Sequence, residues 1–222
     1  MSPSSTFMFA DLAGFTALTE AHGDEQAADV AADFYRHLTS ITQRSSGEAI
    51  KEIGDAVMLR CPEAAAAVDL GLTIVEDVAS RPLSPTVRVG MHTGSAVERG
   101  GDWFGSTVNL AARVSGAAAG GEVLLTEETA SIAGSIDGIT MQRLGARDFR
   151  NIADPVVVYR AHRAGAADAD QVVDPVCKMA VADCEIVGSL SHQGITYRFC
   201  SLACAERFAA APDRFVRGEA SP

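Results

Sequence analysis

The sequence predicts an α+β fold, a sandwich of antiparallel strands covered by helices, followed by a small cysteine-rich unit. Two short apolar runs, residues 48–53 and 56–61, flank Gly54-Asp55, a dipeptide typical of the tight turn of a β-hairpin. An alanine-rich segment follows Pro62, and proline is tolerated in the first turn of a helix. Four of the five cysteines lie in the last quarter of the 222-residue chain. The mixed strand and helix signals, followed by a separate cysteine cluster, indicate two units.

The first half of the chain alternates strand and helix signals. Residues 6–10 form an apolar run that predicts a strand, and the turn at 11–16 leads into a long helical region. The apolar positions of that region include Val30, Phe34, Leu38 and Ile41. The elements that follow are the hairpin over 48–61, a helix over 63–80 and a strand over 86–89.

The second half of this unit continues the alternation. Ser106 or Thr107 is suited to cap a helix through 108–114. The remaining elements are a strand over 122–126, a short helix over 127–133 and a strand pair over 139–144 and 155–161. This order predicts the α+β sandwich.

Composition divides the chain into four segments. Residues 164–171 are small and acidic, as in a linker. The segment after them is about 45 residues long, a size that usually needs a metal or disulfide to stay folded alone. We therefore expect a first domain over 1–163, a linker over 164–172, a second domain over 173–217 and a tail over 218–222.

The charge balance restricts the partners. The chain has 29 acidic and 18 basic residues and a formal net charge of -11, which disfavours nucleic acid and anionic membrane surfaces. The N-terminal residues lack the pattern of a signal peptide, and no apolar stretch approaches the length of a membrane helix. We expect a cytoplasmic protein. In a reducing compartment, clustered cysteines more often bind metal or act in redox chemistry than form disulfides.

Two aspartates are candidate ligands for divalent cations. Asp11 follows the first strand and Asp55 lies in the hairpin turn, so adjacent strand ends can hold both carboxylates near a pair of metal ions. Aspartates in turns also commonly hydrogen-bond their own backbone. The two positions alone leave both interpretations open.

Four ordered motifs decide between them. They are Phe9-Ala-Asp-Leu-Ala-Gly-Phe-Thr16, Lys51-Glu-Ile-Gly-Asp55, Val89-Gly-Met-His-Thr-Gly94 and Asp102-Trp-Phe-Gly-Ser-Thr-Val-Asn-Leu-Ala-Ala-Arg113. Over residues 6–162 the chain resembles the class III nucleotidyl cyclases, which implies a ferredoxin-like cyclase sandwich. The resemblance implies that Asp11 and Asp55 bind two Mg²⁺ or Mn²⁺ ions per active site.

The same resemblance implies roles for further residues. Phe15, Thr16 and the nearby backbone amides would cradle phosphates at a helix N-terminus. Asn109 and Arg113 match the pair that orients the ribose and stabilises charge on the α-phosphate. Arg150 falls where the family commonly has a lysine that reaches the terminal phosphates, and the two side chains differ in geometry.

The expected substrate is ATP. Lys51 and Asp102 match the two base-selecting positions of the family, and a lysine donor with an aspartate acceptor fits the acceptor N1 and the donor N6 of adenine. Lys51 is also one of only two lysines in the chain, which otherwise uses arginine. The resemblance therefore implies an adenylate cyclase that makes 3′,5′-cyclic AMP and pyrophosphate.

The resemblance also implies a homodimer. In the family, the metal-binding aspartates face the base-selecting and transition-state residues across a subunit interface, so a chain with both sets forms two composite sites. Two alternatives remain. One is a non-enzymatic metal sensor whose cyclase-like domain dimerises or binds nucleotide. The other is a guanylate cyclase, which Lys51 and Asp102 disfavour.

The cysteine-rich segment resembles the YHS domain, a small treble-clef-like module, over residues 173–217. Cys200 and Cys204 are four residues apart, so a helix capped at Ser201 would bring both thiols to one point. With Cys177 they form three soft ligands suited to Zn²⁺ or Cu⁺. Cys184, His192 and water are the candidates for a fourth ligand.

Lys178 stands where the family usually has glycine, and a lysine there is expected to lower the pKa of the neighbouring thiol. The role of the module stays open at this point. It could be a structural zinc unit, a metal-free packing domain, or a domain whose metal occupancy or redox state regulates the cyclase.

Overall fold

The computed structural model describes residues 4–81, 83–165 and 172–216. Most of the predicted linker, residues 166–171, and the predicted tail, 218–222, lie outside the described residues. Within the described part of the chain, no helix combines the length and apolar character needed to cross a bilayer.

A seven-stranded sheet forms the framework of the first domain, with the strand order β2-β3-β1-β4-β7-β9-β8. Its strands are β1 (Ser5–Leu12), β2 (Glu48–Ile53), β3 (Ala56–Cys61), β4 (Val87–Gly94), β7 (Val123–Thr126), β8 (Ile139–Arg147) and β9 (Val156–Arg163). The α+β class is confirmed. One neighbouring pair, β4 and β7, is parallel, whereas the sequence predicted antiparallel strands. The chain passes through a helix between these two strands, and parallel strands need such a crossover.

Helices cover both faces of the sheet. The first domain contains α1 (Phe15–His22), α2 (Asp24–Thr42), α3 (Ala64–Ala79), α4 (Ser106–Gly116) and α5 (Glu127–Ala133). Met8 and Leu12 of β1 pack in one core with residues of α2 and α3, while Phe7 and Phe9 pack with α4. The alternation of side chains along a strand explains why β1 is buried on both faces.

The predicted single helical region after the first turn is two helices. Gly23 ends α1 with a φ of 88°, a left-handed value that favours glycine, and it also precedes the first residue of α2. A separate two-stranded sheet of β5 (Val97–Arg99) and β6 (Asp102–Phe104) lies between β4 and α4 along the chain.

The second domain is a short hairpin followed by helices. It comprises a 3₁₀ turn (Asp183–Glu185), β10 (Gly188–His192), β11 (Ile195–Phe199), α6 (Leu202–Ala210) and α7 (Pro212–Val216). The core of this domain includes Phe199 and Phe208, and Leu18 of α1 is buried within the same cluster. The second domain therefore packs directly on the first through α1.

Candidate active site

The two predicted metal-binding aspartates lie side by side. Asp11 is the penultimate residue of β1 and lies opposite Ala56 of β3, and the amide of Leu12 donates to the carbonyl of Asp55 at 3.3 Å. Burial, and secondly the negative charge of Asp11, raise the pKa of Asp55. A carboxylate whose ionisation is disfavoured by a neighbouring carboxylate is a suitable ligand for a divalent cation, because bound positive charge removes the repulsion.

Two residues that support these carboxylates were not predicted. Arg88 of β4 lies opposite Asp11, and its Nε donates to Asp11 Oδ2 at 2.7 Å. The hydroxyl of Tyr35 on α2 donates to the carbonyl of Gly54, in the turn that carries Asp55. Neither residue belongs to the quoted motifs. Only the cross-strand register and the position of α2 reveal them.

The predicted phosphate-binding turn leads into α1. Gly14 has a φ of 81° and precedes the first helical residue, and no side chain caps this end. Thr16 is exposed, whereas Phe15 packs against the cores of both domains. The backbone amides of the first turn are therefore the groups suited to bind an anion. The Phe15 side chain holds the helix in place by its packing against both cores.

Lys51 and Asp102 form a direct ion pair. Lys51 lies on β2 and Asp102 on β6, and Lys51 Nζ donates to Asp102 Oδ2 at 2.5 Å. The hydrogen bond from Lys51 lowers the pKa of Asp102, which stays an acceptor. The Lys51 ammonium also lies 5.4 Å from the ring centre of Phe104. The two predicted base-selecting residues thus present a donor and an acceptor at one point.

Asn109 and Arg113 lie one helical turn apart on the exposed face of α4. The helix begins after Gly105, so the predicted caps Ser106 and Thr107 are wrong; the Thr107 hydroxyl instead donates to the carbonyl of Ser95 at 2.6 Å. Gly90 lets α4 pack closely, since a Cβ atom there would lie 1.9 Å from the Ser115 nitrogen.

These elements enclose a cleft of about 560 Å³. The residues that line it from the predicted site are Asp11, Lys51 and Asn109, together with Phe9, Ile53, Met58, Trp103, Phe104 and Val108. Arg150 does not line this cleft. It is exposed in the loop between β8 and β9, at the opposite edge of the sheet from Lys51.

The cysteine cluster contains the three predicted thiols. Cys177 Sγ lies 3.5 Å from Cys200 Sγ, which lies 3.9 Å from Cys204 Sγ. Ser201 caps α6 as predicted, and its hydroxyl accepts from the Cys204 amide at 3.2 Å. Cys184 is exposed and outside the cluster.

A histidine of the first domain was missed. His22, the last residue of α1, places Nε2 3.8 Å from the Sγ atoms of both Cys200 and Cys204. The predicted candidate His192 instead contacts Asp213, with 3.2 Å between Nε2 and Oδ1. No sequence spacing connects His22 with cysteines more than 150 residues away.

Lys178 contacts the cyclase-like domain. A Cβ atom at Gly14 would lie 2.6 Å from Lys178 Cγ, so the lysine stem covers the glycine of the predicted phosphate-binding turn. The expected lowering of the neighbouring thiol's pKa is wrong. Hydrogen bonding with Cys200 is the main cause that raises the pKa of Cys177. Lys178 has a φ of 62°, which explains why glycine suits this position.

Comparison with known families identifies both domains. Residues 2–158 match the adenylate and guanylate cyclase catalytic domain, and residues 172–219 match the YHS domain. The chain belongs to the adenylate and guanylate cyclase family.

Similar proteins include several bacterial cyclases. The chain is 40% identical over 164 residues to a pH-sensitive adenylate cyclase of Mycobacterium tuberculosis, an alignment covering 71% of this chain and 40% of that protein. It is 35% identical over 117 residues to an adenylate cyclase of Streptomyces coelicolor, covering 53% of this chain and 31% of that protein. The chain thus spans well under half of the length of these relatives.

Solved structures share the fold. An adenylate cyclase from Trypanosoma brucei in its monomeric state is 26% identical with a TM-score of 0.66, covering 75% of this chain and 92% of that one. The adenylyl cyclase CyaB from P. aeruginosa is 25% identical with a TM-score of 0.62, covering 72% and 94%.

Proposed function

We propose that this protein is an adenylate cyclase that converts ATP to 3′,5′-cyclic AMP and pyrophosphate. The observation that carries the proposal is the ion pair of Lys51 with Asp102, because Lys51 lines a cleft that Asp11 also lines. A nucleotide cyclase needs a base-recognition point and a metal-binding point, and in a two-fold dimer each site would take these two points from different chains. The similarity to named adenylate cyclases supports the same activity.

Each group has a chemical task in this reaction. Lys51 Nζ donates to N1 of adenine, and Asp102 accepts from the N6 amino group. The amides after Gly14 bind phosphate oxygens at the positive end of α1. Asn109 orients the ribose, and Arg113 balances charge on the α-phosphate. The ribose 3′-hydroxyl then loses its proton to solvent and its oxygen bonds to the α-phosphorus. The bond between the α-phosphorus and the α,β-bridging oxygen breaks, and pyrophosphate leaves.

Asp11 and Asp55 would hold two Mg²⁺ or Mn²⁺ ions. When bound, such ions supply positive charge for the phosphates and lower the pKa of the ribose 3′-hydroxyl. The raised pKa of Asp55 and the pairing of Asp11 with Arg88 support this assignment, because both indicate concentrated negative charge. Arg150 does not line this cleft, and it stays a candidate to bind the terminal phosphates on the resemblance alone.

We further propose that the active enzyme is a homodimer with two composite sites. Ile53 and Phe104 line the cleft and expose 46% and 51% of their surface, and exposed apolar side chains on a cleft favour a covering partner. A second copy would place its Asn109 and Arg113 against the aspartates of the first. Two-fold symmetry then creates two equivalent sites.

The test is an assay of the purified full chain with ATP or GTP and Mn²⁺. We expect cyclic AMP with ATP and at least about tenfold less product with GTP, since a reversed donor and acceptor pattern leaves buried polar groups unpaired. Lys51→Met should remove this preference, whereas Arg36→Met, which alters a cation that is 73% exposed on α2, should not. Product from neither nucleotide would contradict the proposal and favour the non-enzymatic sensor. Preferential use of GTP would favour the guanylate cyclase.

We also propose that the YHS domain regulates the cyclase through metal or thiol state. The contact of Lys178 with Gly14 supports this, because it links the cysteine loop to the phosphate-binding turn. Zn²⁺ or Cu⁺ should change the rate of the wild type but not of a Cys200→Ser/Cys204→Ser variant. Equal rates in every condition would contradict regulation by metal.

A further inference from the structure

The cysteine cluster is completed from the other domain. Three thiols come from the YHS domain, and the imidazole of His22 comes from the end of α1 in the cyclase domain. The four ligand atoms all lie within 4.8 Å of one another. Cys177 and Cys204 are buried while His22 and Cys200 are half-buried, so the cluster closes against the domain boundary.

The distances match the edges of a metal-centred tetrahedron. Zinc bonds of about 2.3 Å to sulfur and about 2.0 Å to nitrogen give edges of about 3.8 Å between sulfurs and about 3.5 Å between sulfur and nitrogen. Two of the sulfur–sulfur edges are 3.5 and 3.9 Å, two of the sulfur–nitrogen edges are 3.8 Å, and no edge exceeds 4.8 Å. One ion would therefore reach all four atoms after shifts of up to about 1 Å.

We propose that His22, Cys177, Cys200 and Cys204 form a single interdomain metal site that binds Zn²⁺ and fastens the YHS domain to helix α1. Three thiolates with one imidazole is a ligand set of structural zinc sites. A full set of four protein ligands leaves no open position for substrate, so this zinc holds structure rather than performing chemistry.

The surrounding hydrogen bonds hold the ligands in place. The buried carboxylate of Asp174 accepts from the amides of Val176 at 2.8 Å, Cys177 at 3.4 Å and Cys200 at 2.9 Å. One side chain thus ties together the two segments that carry the thiols. Such supporting groups fix the orientation of ligands before the metal arrives.

The alternative imidazole is engaged elsewhere. His192 contacts Asp213 and packs edge-on against the ring of Phe208, with ring centres 6.2 Å apart. It belongs to the same domain as the thiols, so a site built with His192 would not connect the two domains. His192→Ala is therefore a matched control for His22→Ala.

The metal site should also hold the proposed phosphate-binding turn in place, and this consequence rests on the proposed function. His22 and Gly14 flank the ends of one eight-residue helix, about 12 Å long. Zinc at one end and Lys178 over the other end fix both ends of α1 to the YHS domain. Loss of zinc would release the last turn first and loosen the turn that binds phosphate.

The first experiment measures the metal site without any enzyme assay. Full-length protein should bind one Zn²⁺ per chain, and zinc X-ray absorption should show three sulfurs and one nitrogen with the multiple scattering of imidazole. His22→Ala should weaken zinc binding by at least about 100-fold, as expected for loss of a direct ligand. Millimolar imidazole should restore the tetrahedral spectrum of bound Co²⁺ in this variant. His192→Ala should bind like the wild type.

Three results would overturn the proposal. They are zinc without an imidazole ligand in the wild type, unchanged zinc affinity in His22→Ala, and loss of imidazole scattering in His192→Ala. If His22→Ala fails to fold, the wild-type and His192→Ala spectra together decide the ligand set. These readings are independent of cyclase activity, so a protein that makes no cyclic AMP could still pass them.

The second experiment measures the interdomain link. Zinc should slow amide hydrogen exchange over residues 15–22 in the wild type, and this protection should be lost in His22→Ala while the hairpin over 188–199 keeps part of its own. Zinc-dependent protection confined to the YHS domain in the wild type would contradict the fastening of α1.

Discussion

Complementation between two inactive variants tests the composite site most directly. Asp11→Ala removes a proposed metal ligand, and Arg113→Ala removes a cation on the exposed face of α4. Each variant alone should be inactive as a homodimer, because both of its sites lack the same group. The substitutions lie on opposite halves of the proposed site, so one chain can supply what the other lacks.

The expected recovery follows from symmetry. A heterodimer of the two variants has one site with every group intact and one site lacking both groups. Purified heterodimer should therefore show about half of the wild-type rate per dimer, and a random equimolar mixture should show about a quarter, since about half of its dimers are heterodimers.

The assay is cyclic AMP formation by heterodimers isolated with two different affinity tags. The matched control is Asp11→Ala with Asp55→Ala, two changes in the same half, which leave both sites of the heterodimer incomplete. No recovery in confirmed heterodimers would refute the composite site. Activity of an isolated wild-type monomer would instead indicate that the cleft of one chain is sufficient.

Three further predictions concern residues that support the site or the fold. Tyr35→Phe removes the hydroxyl that donates to Gly54, and should raise the Mn²⁺ needed for half-maximal activity about two- to tenfold, the equivalent of one hydrogen bond; an unchanged requirement would exclude this positioning role. Phe208→Ala removes a side chain that is 1% exposed and should destabilise the YHS domain by about 3–5 kcal/mol, measured as hydrogen exchange in chelator, while Leu202→Ala, at 64% exposure, should change it little. Burial lowers the pKa of His92, so as the pH decreases below about 6.5 the unfolded chain binds a proton before the folded chain does. The free energy of unfolding should therefore decrease as the pH decreases in this range. Urea midpoints that fall equally in His92→Gln would show that another group causes the loss.

Local sequence signals predicted most of the fold. The hairpin of β2 and β3 and the helix α5 have the predicted bounds, because turn chemistry and helix propensity act over a few residues. The division of the first helical region at Gly23 was missed, since apolar spacing alone does not show where a glycine takes a positive φ. The parallel pairing of β4 and β7 depends on strand order, which is set by the whole sheet.

The sequence motifs identified residues that line the cleft, but not the residues that contact them from other parts of the chain. Asp11, Lys51 and Asn109, each predicted from a motif, line one cleft of the chain. Arg88 was not assigned because its role depends on lying opposite Asp11 in a neighbouring strand. His22 was not assigned because the thiols beside it, those of Cys200 and Cys204, belong to another domain. Contacts between distant segments carry no local signal, so they emerge only from the folded chain.

Helix α1 connects the two sites of this protein. A helix of eight residues is too short to be stable alone, so packing on both sides must fix its position. Phe15 packs against both cores, and Leu18 is buried in the core of the YHS domain. The orientation of the amides that follow Gly14 therefore depends on how the YHS domain is seated. A change at the cysteines that shifts the YHS domain should therefore affect the proposed phosphate-binding turn before it affects the proposed base-recognition residues on β2 and β6. A metal effect on the cyclase should consequently alter the KM for ATP while leaving the preference for ATP over GTP unchanged.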